Sequence, residues 1–347
     1  LDEAQHIKNP GAKVSQAACE LQAAHRLCLS GTPVENNLGE LWSLMRFLMP
    51  GFLGPQDAFR TRFQLPIERD NDLEVQEALQ QRLAPLILRR TKDEVAKELP
   101  PKTTLVHPIE LSTRQKDLYE TVRATMDKRV REVIAARGLA QSKITILDAL
   151  LKLRQICCDP RLLKDQDPPL DPATFKLNHS AKLDYLFELL DTLLAEDRRV
   201  LLFSQFTTML ELISEQLEAR KVPYLQLTGS SRDRGKLVET FQAGEIPVFL
   251  ISLKAGGTGL NLTGADTVIH YDPWWNPAAE NQATDRAYRI GQDKPVFVHK
   301  LLCANTVEDR IHQLQQKKSR LADGLLSKAA TGMPDDDEWR ALLDPIG

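Results

Sequence analysis

Residues 200–227 read VLLFSQFTTMLELISEQLEARKVPYLQL, and this stretch decides the fold. Val200–Phe206 is a short apolar run with the composition of a strand. Apolar residues then recur at helical spacing over Thr208–Ala219, and Tyr224–Leu227 is a second strand candidate beyond Pro223. The pattern repeats on both sides. Further strands are expected at Val248–Leu253, Thr267–Tyr271 and Val296–Leu302, and helices at Leu183–Ala195, Arg234–Ala243 and Ala278–Arg289. Strand and helix in strict alternation require crossover connections, so the expected fold class is α/β with a doubly wound parallel sheet.

Toward the N-terminus, residues 112–163 carry no strand signal. Apolar positions at helical spacing run from Leu118 through Val133 and again from Ile144 through Ile156. They lie between Leu99-Pro100-Pro101 and the proline-rich stretch at 168–172, as a helical insertion would. The first hundred residues hold one strand candidate, Arg26–Leu29, followed by helices, and read as the remnant of another α/β domain. The expected division is 1–98 (that remnant), 99–174 (linker and helical protrusion), 175–327 (the sheet domain) and 328–347 (a tail).

A chain of 347 residues can bury two or three cores. Its 42% hydrophobic and 27% charged residues match ordinary globular domains rather than disordered or fibrous ones. No apolar run approaches the roughly 20 residues a bilayer demands, so no membrane partner is expected. The five cysteines, at 19, 28, 157, 158 and 303, form no C-x-x-C pair and read as neutral thiols of an intracellular protein. The chain opens on Leu1 rather than Met, so further sequence upstream is expected. A net charge of −3 does not advertise nucleic-acid binding. Local basic clusters exist nonetheless, at Arg82, Arg89, Arg90 and Lys92 and at Lys128, Arg129 and Arg131.

Four strings could carry chemistry. Leu1-Asp2-Glu3 places two carboxylates where a Walker B strand would end, the Asp to hold Mg²⁺ and the Glu to orient water. Leu29-Ser30-Gly31-Thr32-Pro33 offers the Ser30 and Thr32 hydroxyls to relay a γ-phosphate signal, on a turn fixed by Gly and Pro. Lys254–Leu262 is a glycine-rich loop whose amides can approach phosphates. Gln282–Gln292 carries Arg286 and Arg289, three apart and expected on one helix face, where two guanidinium forks suit a triphosphate. No P-loop is present: GSSRDRGK at 229–236 puts five residues between its glycines where that loop has four.

Each string is commonplace alone, but their order is not. Over nearly its whole length the chain resembles the Swi/Snf-type, superfamily-two helicase-like ATPases. Asp2-Glu3 matches motif II, Leu29–Pro33 motif III, Val200–Phe206 with Met209-Leu210 motif IV, Lys254–Leu262 motif V and Gln282–Gln292 motif VI. Ile7-Lys8-Asn9, Thr32–Asn37, Leu88–Lys92 and Tyr271-Asp272-Pro273-Trp274-Trp275-Asn276-Pro277 select this group among helicases. Two departures matter. Gln5 stands where many relatives carry His, and motifs I and Ia lie outside the sequence, so this stretch alone is expected to be inactive.

The resemblance implies two RecA-like lobes, with 1–98 the remnant of the first and 175–327 the second. It implies ATP and Mg as cofactors. Asp2 and Glu3 would serve metal and water, and Arg286 and Arg289 would arrive from the second lobe. Gly259, Asn261 and Gln282 would sit beside the nucleotide, with Ser30 and Thr32 coupling the lobes. Sequence-independent double-stranded DNA would be held by Ser204, Gln205, Lys254, Gly256, Thr258 and Trp274. Trp274 and Trp275 could equally brace the second lobe from within. The implied activity is a DNA-dependent ATPase and double-stranded DNA translocase that remodels protein–DNA complexes, with RNA polymerase or another DNA-bound protein as its partner. A bacterial member is expected, cytoplasmic and nucleoid-associated, whereas a eukaryotic one would be nuclear. Two other functions share these motifs: a strand-separating nucleic-acid helicase, against which Trp274–Pro277 argues, and a non-catalytic DNA- or protein-binding module.

Overall fold

The computed structural model describes residues 1–31, 37–90, 92–163, 180–256 and 259–326. The chain divides into two compact units whose main segments are Leu1–Val95 and Ala96–Gln313. In the first unit the described residues form helices α1 (Lys13–Glu20), α2 (Leu38–Leu48), α3 (Gln56–Phe59), α4 (Leu65–Asp70), α5 (Leu73–Leu83) and α6 (Lys92–Val95). The core here is carried by Leu38, Leu41, Trp42 and Met45 of α2 against Phe59, Phe63, Ile67 and Leu79. Asp72 caps α5 by accepting from the amides of Glu74 and Val75, satisfying two donors that the first helical turn leaves open.

Arg26–Leu29, expected as a strand, is not one. Among the described residues its backbone pairing is the amide of Leu29 on the carbonyl of Leu1 (2.8 Å) and the amide of Ala4 on the carbonyl of Leu29 (2.9 Å). Glu3 turns into the left-handed region (φ 50°) and Ala4–Ile7 closes a single 3₁₀ turn, so the partner segment bends away before a ladder can extend.

The second unit carries the alternation. Strands β1 (Lys102–Ile109), β2 (Val200–Ser204), β3 (Tyr224–Leu227), β4 (Val248–Ser252), β5 (Thr267–His270) and β6 (Val296–Cys303) form one sheet, ordered β1-β6-β5-β2-β4-β3 and parallel at every pairing. Its helices are α7 (Thr113–Arg137), α8 (Leu139–Cys158), α9 (Ala181–Ala195), α10 (Thr207–Ala219), α11 (Arg234–Gln242), α12 (Leu253–Gly256) and α13 (Pro277–Thr284), and α14 (Val307–Leu326) begins in it, its residues from Leu314 on being grouped with the first unit.

Period-two alternation splits each central strand between two cores. Val200 and Leu202 join Val248, Leu250, Leu186, Leu190, Met209 and Ile213 on one face. Leu201 and Phe203 join Phe249, Ile251, Phe241, Ala283 and Ala287 on the other. Each such buried side chain contributes about 1.5–3 kcal/mol relative to exposure, which is why fully apolar strands sit in the middle. The chain leaves β2 for β3 and β4 on one side and returns to β5 and β6 on the other. The switch point therefore lies at the carboxyl end of β2, where open parallel sheets leave a crevice.

Two further elements differ from the sequence expectation. β1 lies within the stretch read as linker and protrusion, yet it pairs with β6 along all eight residues. It is an edge strand, mostly exposed and with Pro108 in it, so it shows neither alternation nor an apolar run. The helix expected over Ala278–Arg289 ends at Thr284. No helix among the described residues is long and apolar enough to cross a membrane.

Candidate functional site

Each unit holds part of the predicted constellation. In the first, Asp2 is exposed, and its Oδ1 accepts the amide of Glu3 (2.9 Å). Glu3 itself is half-buried in its left-handed conformation, a costly state for a non-glycine residue that the surrounding bonds must hold. They are present: the Gln5 amide donates to Glu3 Oε2 (2.5 Å), and the Ser30 hydroxyl donates to Gln5 Oε1 (2.8 Å). A three-residue chain thus runs from the second predicted carboxylate to the predicted coupling serine. Gln5 can serve because an amide both donates and accepts. Thr32 lies outside the described residues.

In the second unit, the carboxyl ends of β2 and β5 converge. Ser204 is buried and donates through Oγ to Asp272 Oδ1 (2.5 Å), while the amide of Gln205 points at the same carboxylate (3.3 and 3.4 Å). Burial pushes the Asp272 carboxyl up to about 6, against the opposing pull of Arg154 and the Ser204 hydrogen bond. Trp274 and Trp275 are half-buried, and the amide of Trp274 donates to Glu280 Oε1 (2.7 Å). The Gln205 side-chain nitrogen is buried without an acceptor among the described residues.

The glycine-rich loop begins with exposed Lys254 at the start of α12, which ends at Gly256 and packs against α13, the helix bearing half-buried Gln282. Thr258 lies outside the described residues, Gly259 adopts φ +27°, and Asn261 is exposed. Arg286 and Arg289 do not share a helix face. Both follow the end of α13 in successive turns, which bury Arg286 and leave Arg289 exposed. Those turns are tied to the glycine-rich loop by the Leu262 amide on the Arg286 carbonyl (2.9 Å) and above all by Gln292. The Gln292 side-chain nitrogen donates to the carbonyls of Thr263 (3.0 Å), Ala265 (2.8 Å) and Ala287 (3.0 Å). Gln292→Ala is expected to cost about 2–3 kcal/mol in urea denaturation, because buried carbonyls lose their donor. An unchanged midpoint would refute that anchoring role.

Three residues of this arrangement were not singled out from the sequence. Asp272 lies inside the Tyr271–Pro277 string with no role of its own, Gln5 reads only as a departure from the motif, and Arg154 carries no signal.

The family model of the SNF2-related domain matches residues 1–162, and that of the helicase conserved C-terminal domain matches residues 181–291. The chain is 44% identical over 94% of its length to YwqA of Bacillus subtilis, named provisionally as an ATP-dependent helicase/translocase, and spans 35% of that protein. Among solved structures, the Sulfolobus solfataricus SWI2/SNF2 ATPase core domain is 35% identical with a TM-score of 0.55, covering 100% of this chain and 70% of that one. The same core in complex with double-stranded DNA is 34% identical with a TM-score of 0.53, covering 99% and 70%. The chain spans about a third of the length of the curated relatives it matches.

Proposed function

Because the chain belongs to the SWI2/SNF2 family of RecA-like ATPase cores, we propose that it is part of an ATP-driven motor that moves along double-stranded DNA and remodels protein–DNA complexes. The observation that carries this reading is the chain Glu3–Gln5–Ser30. It links a carboxylate suited to water activation with a serine suited to sensing the state of a cleft.

The oxygen donors of Asp2 and Glu3 fit a hard divalent cation, and Asp2 is exposed enough to reach one. Bound Mg²⁺–ATP would supply the phosphoryl group and its counter-charge, with Asp2 the residue on the metal. Glu3 orients water and accepts its proton, and Gln5 keeps the carboxylate aimed. A movement at Ser30 reaches Glu3 through two hydrogen bonds, with Thr32 proposed alongside. Arg289, exposed beyond α13, supplies charge to the transferring group, and buried Arg286 stiffens the turn that presents it. Gly259, Asn261 and Gln282 are proposed to border the nucleotide.

The DNA contacts proposed are Ser204, Gln205, Lys254, Gly256, Thr258 and Trp274. Of the described ones, Ser204 ends β2, Gln205 and Trp274 follow β2 and β5, and Lys254 and Gly256 lie on α12 after β4, while the buried Gln205 nitrogen lacks among the described residues an acceptor that a phosphate oxygen would provide. Such contacts position a duplex without reading its sequence, so binding should weaken steeply with salt.

The test is ATP hydrolysis by the full-length protein, with and without duplex DNA, beside this chain and an Arg289→Ala variant. Duplex is expected to stimulate turnover, and Arg289→Ala to lower it about 10³-fold, as loss of an arginine finger does. The 347-residue chain, which contains no Gly-Lys-Ser/Thr loop, is expected to show no turnover. An intact protein that hydrolyses nothing in the presence of duplex would reject the motor and favour a binding module.

A further inference from the structure

Arg154 sits on α8 of the helical insertion, between Leu153 and Ile156, both fully buried, and is itself 2% exposed. A charged side chain so placed must be held by specific partners. Its Nη2 donates to the carbonyl of Pro273 and lies 3.6 Å from Asp272 Oδ2. Its guanidinium is flanked by three rings, Phe206 at 5.8 Å, Trp274 at 5.8 Å and Trp275 at 5.6 Å. Asp272 in turn accepts from Ser204 Oγ and the Gln205 amide. One arginine from the insertion therefore ties the segment leaving β2, Ser204–Phe206, to the segment leaving β5, Asp272–Trp275.

We propose that Arg154 is a positioning residue for DNA engagement, setting from α8 the orientation of these two segments against each other. The proposal rests on the reading that they meet the duplex. Stability alone is a poor account of the pair, because a buried ion pair is often no better than well-packed apolar side chains of the same volume. Orientation is a better account. A planar guanidinium can lie among three rings while its Nη2 donates to the Pro273 carbonyl beside the Asp272 carboxylate, which fixes direction as well as distance. Lysine, a point charge with tetrahedral donors, keeps the charge and loses the direction.

Arg154→Lys in this chain is the test, with three readouts: thermal unfolding, tryptophan emission with acrylamide quenching, and anisotropy of a labelled duplex well below the melting temperature of both proteins. Both proteins carry Trp42→Phe and Trp339→Phe, so that the emission comes from Trp274 and Trp275 alone. The variant is expected to keep its fold, to show red-shifted and more quenchable emission, and to bind duplex about tenfold or more weakly. Unchanged emission and unchanged Kd would overturn the proposal, as would a lost melting transition accompanied by no specific binding defect in Asp272→Asn. The latter variant keeps an acceptor for Ser204 and drops the charge that Arg154 faces, so it should share the phenotype. If the wild-type chain binds no duplex at all, the DNA reading fails. The proposal falls with it, a failure distinct from that of a wild type that binds duplex and a variant that binds it equally well.

Discussion

Lys182→Met is expected to destabilise the second unit by about 3–5 kcal/mol, the cost of leaving one member of a buried ion pair without the other. Lys182 and Glu308 are both fully buried and pair directly, across 126 positions of sequence. Lys182 also donates to the carbonyls of Tyr271 (3.2 Å) and Leu301 (3.4 Å), and Glu308 accepts the amide of Cys303 (2.9 Å). Burial alone would drive the ammonium toward neutrality. Cys303 and Glu308 beside it hold its pKa above the ordinary lysine value instead. The informative partner is Lys182→Met/Glu308→Gln. The glutamine oxygen can still accept from Cys303 while its nitrogen offers a donor to the carbonyls that lysine leaves, and no net charge remains. Most of the lost stability should return in urea denaturation. A single variant within about 1 kcal/mol of wild type would mean that the pair is not formed in solution. Cys157, Cys303 and Glu308 also lie close enough to share a cation. Lys182 already supplies the positive charge there, and burial pushes the Cys157 thiol well above its ordinary range. Chelators are therefore not expected to move the transition.

That pair also marks where the sequence stops being legible. Strands β2 and β4 could be read because every residue in them is buried, so composition alone announces them. β1 could not, because its pairing energy comes from backbone bonds to β6 that leave no trace in an exposed edge containing Pro108. The helical pattern runs past the end of α13 because Ala283 and Ala287 continue it, while the turns after Thr284 are imposed by the Gln292 and Leu262 hydrogen bonds. In the candidate site, Asp2, Glu3, Ser204 and the two arginines stood in strings whose order is informative. Arg154 stood in Leu150–Ile156, an apolar helix stretch in which one arginine looks like a solvated residue. Only packing against a loop 119 positions away shows otherwise. Local chemistry can be read from the chain, and long-range pairing of charges cannot.

Acidification should expose the histidines of the same sheet. His270 is buried on β5 against Thr284, and His299 on β6 stacks on His107, with a ring nitrogen of each 2.9 Å apart. Burial pushes both His270 and His299 down to about 4, with His107 and Arg198 adding to the effect at His299. The sign follows from proton counting. Between pH 6.5 and pH 4 the unfolded chain protonates these rings and the fold does not, so stability falls as pH falls, by about 3 kcal/mol for His270 and by less for the more accessible His299. Asp272 works in the opposite direction. Its folded value of about 6 lies above that of a free carboxyl, so the fold gains roughly 3 kcal/mol from it as pH falls from 6 to 4. Two rings against one carboxyl leave the fold less stable at pH 4 than at pH 6.5, and His107, whose pKa burial also lowers, adds to the loss. Urea titrations at half-unit intervals would resolve it through the variants. His299→Gln, which can still bond His107, should flatten the slope by about 1.4 kcal/mol per pH unit, and Asp272→Asn should steepen it by a similar amount between pH 4 and 6. Parallel slopes in all three proteins would show that neither ring nor carboxyl is held as described, and that the acid sensitivity of this sheet lies elsewhere.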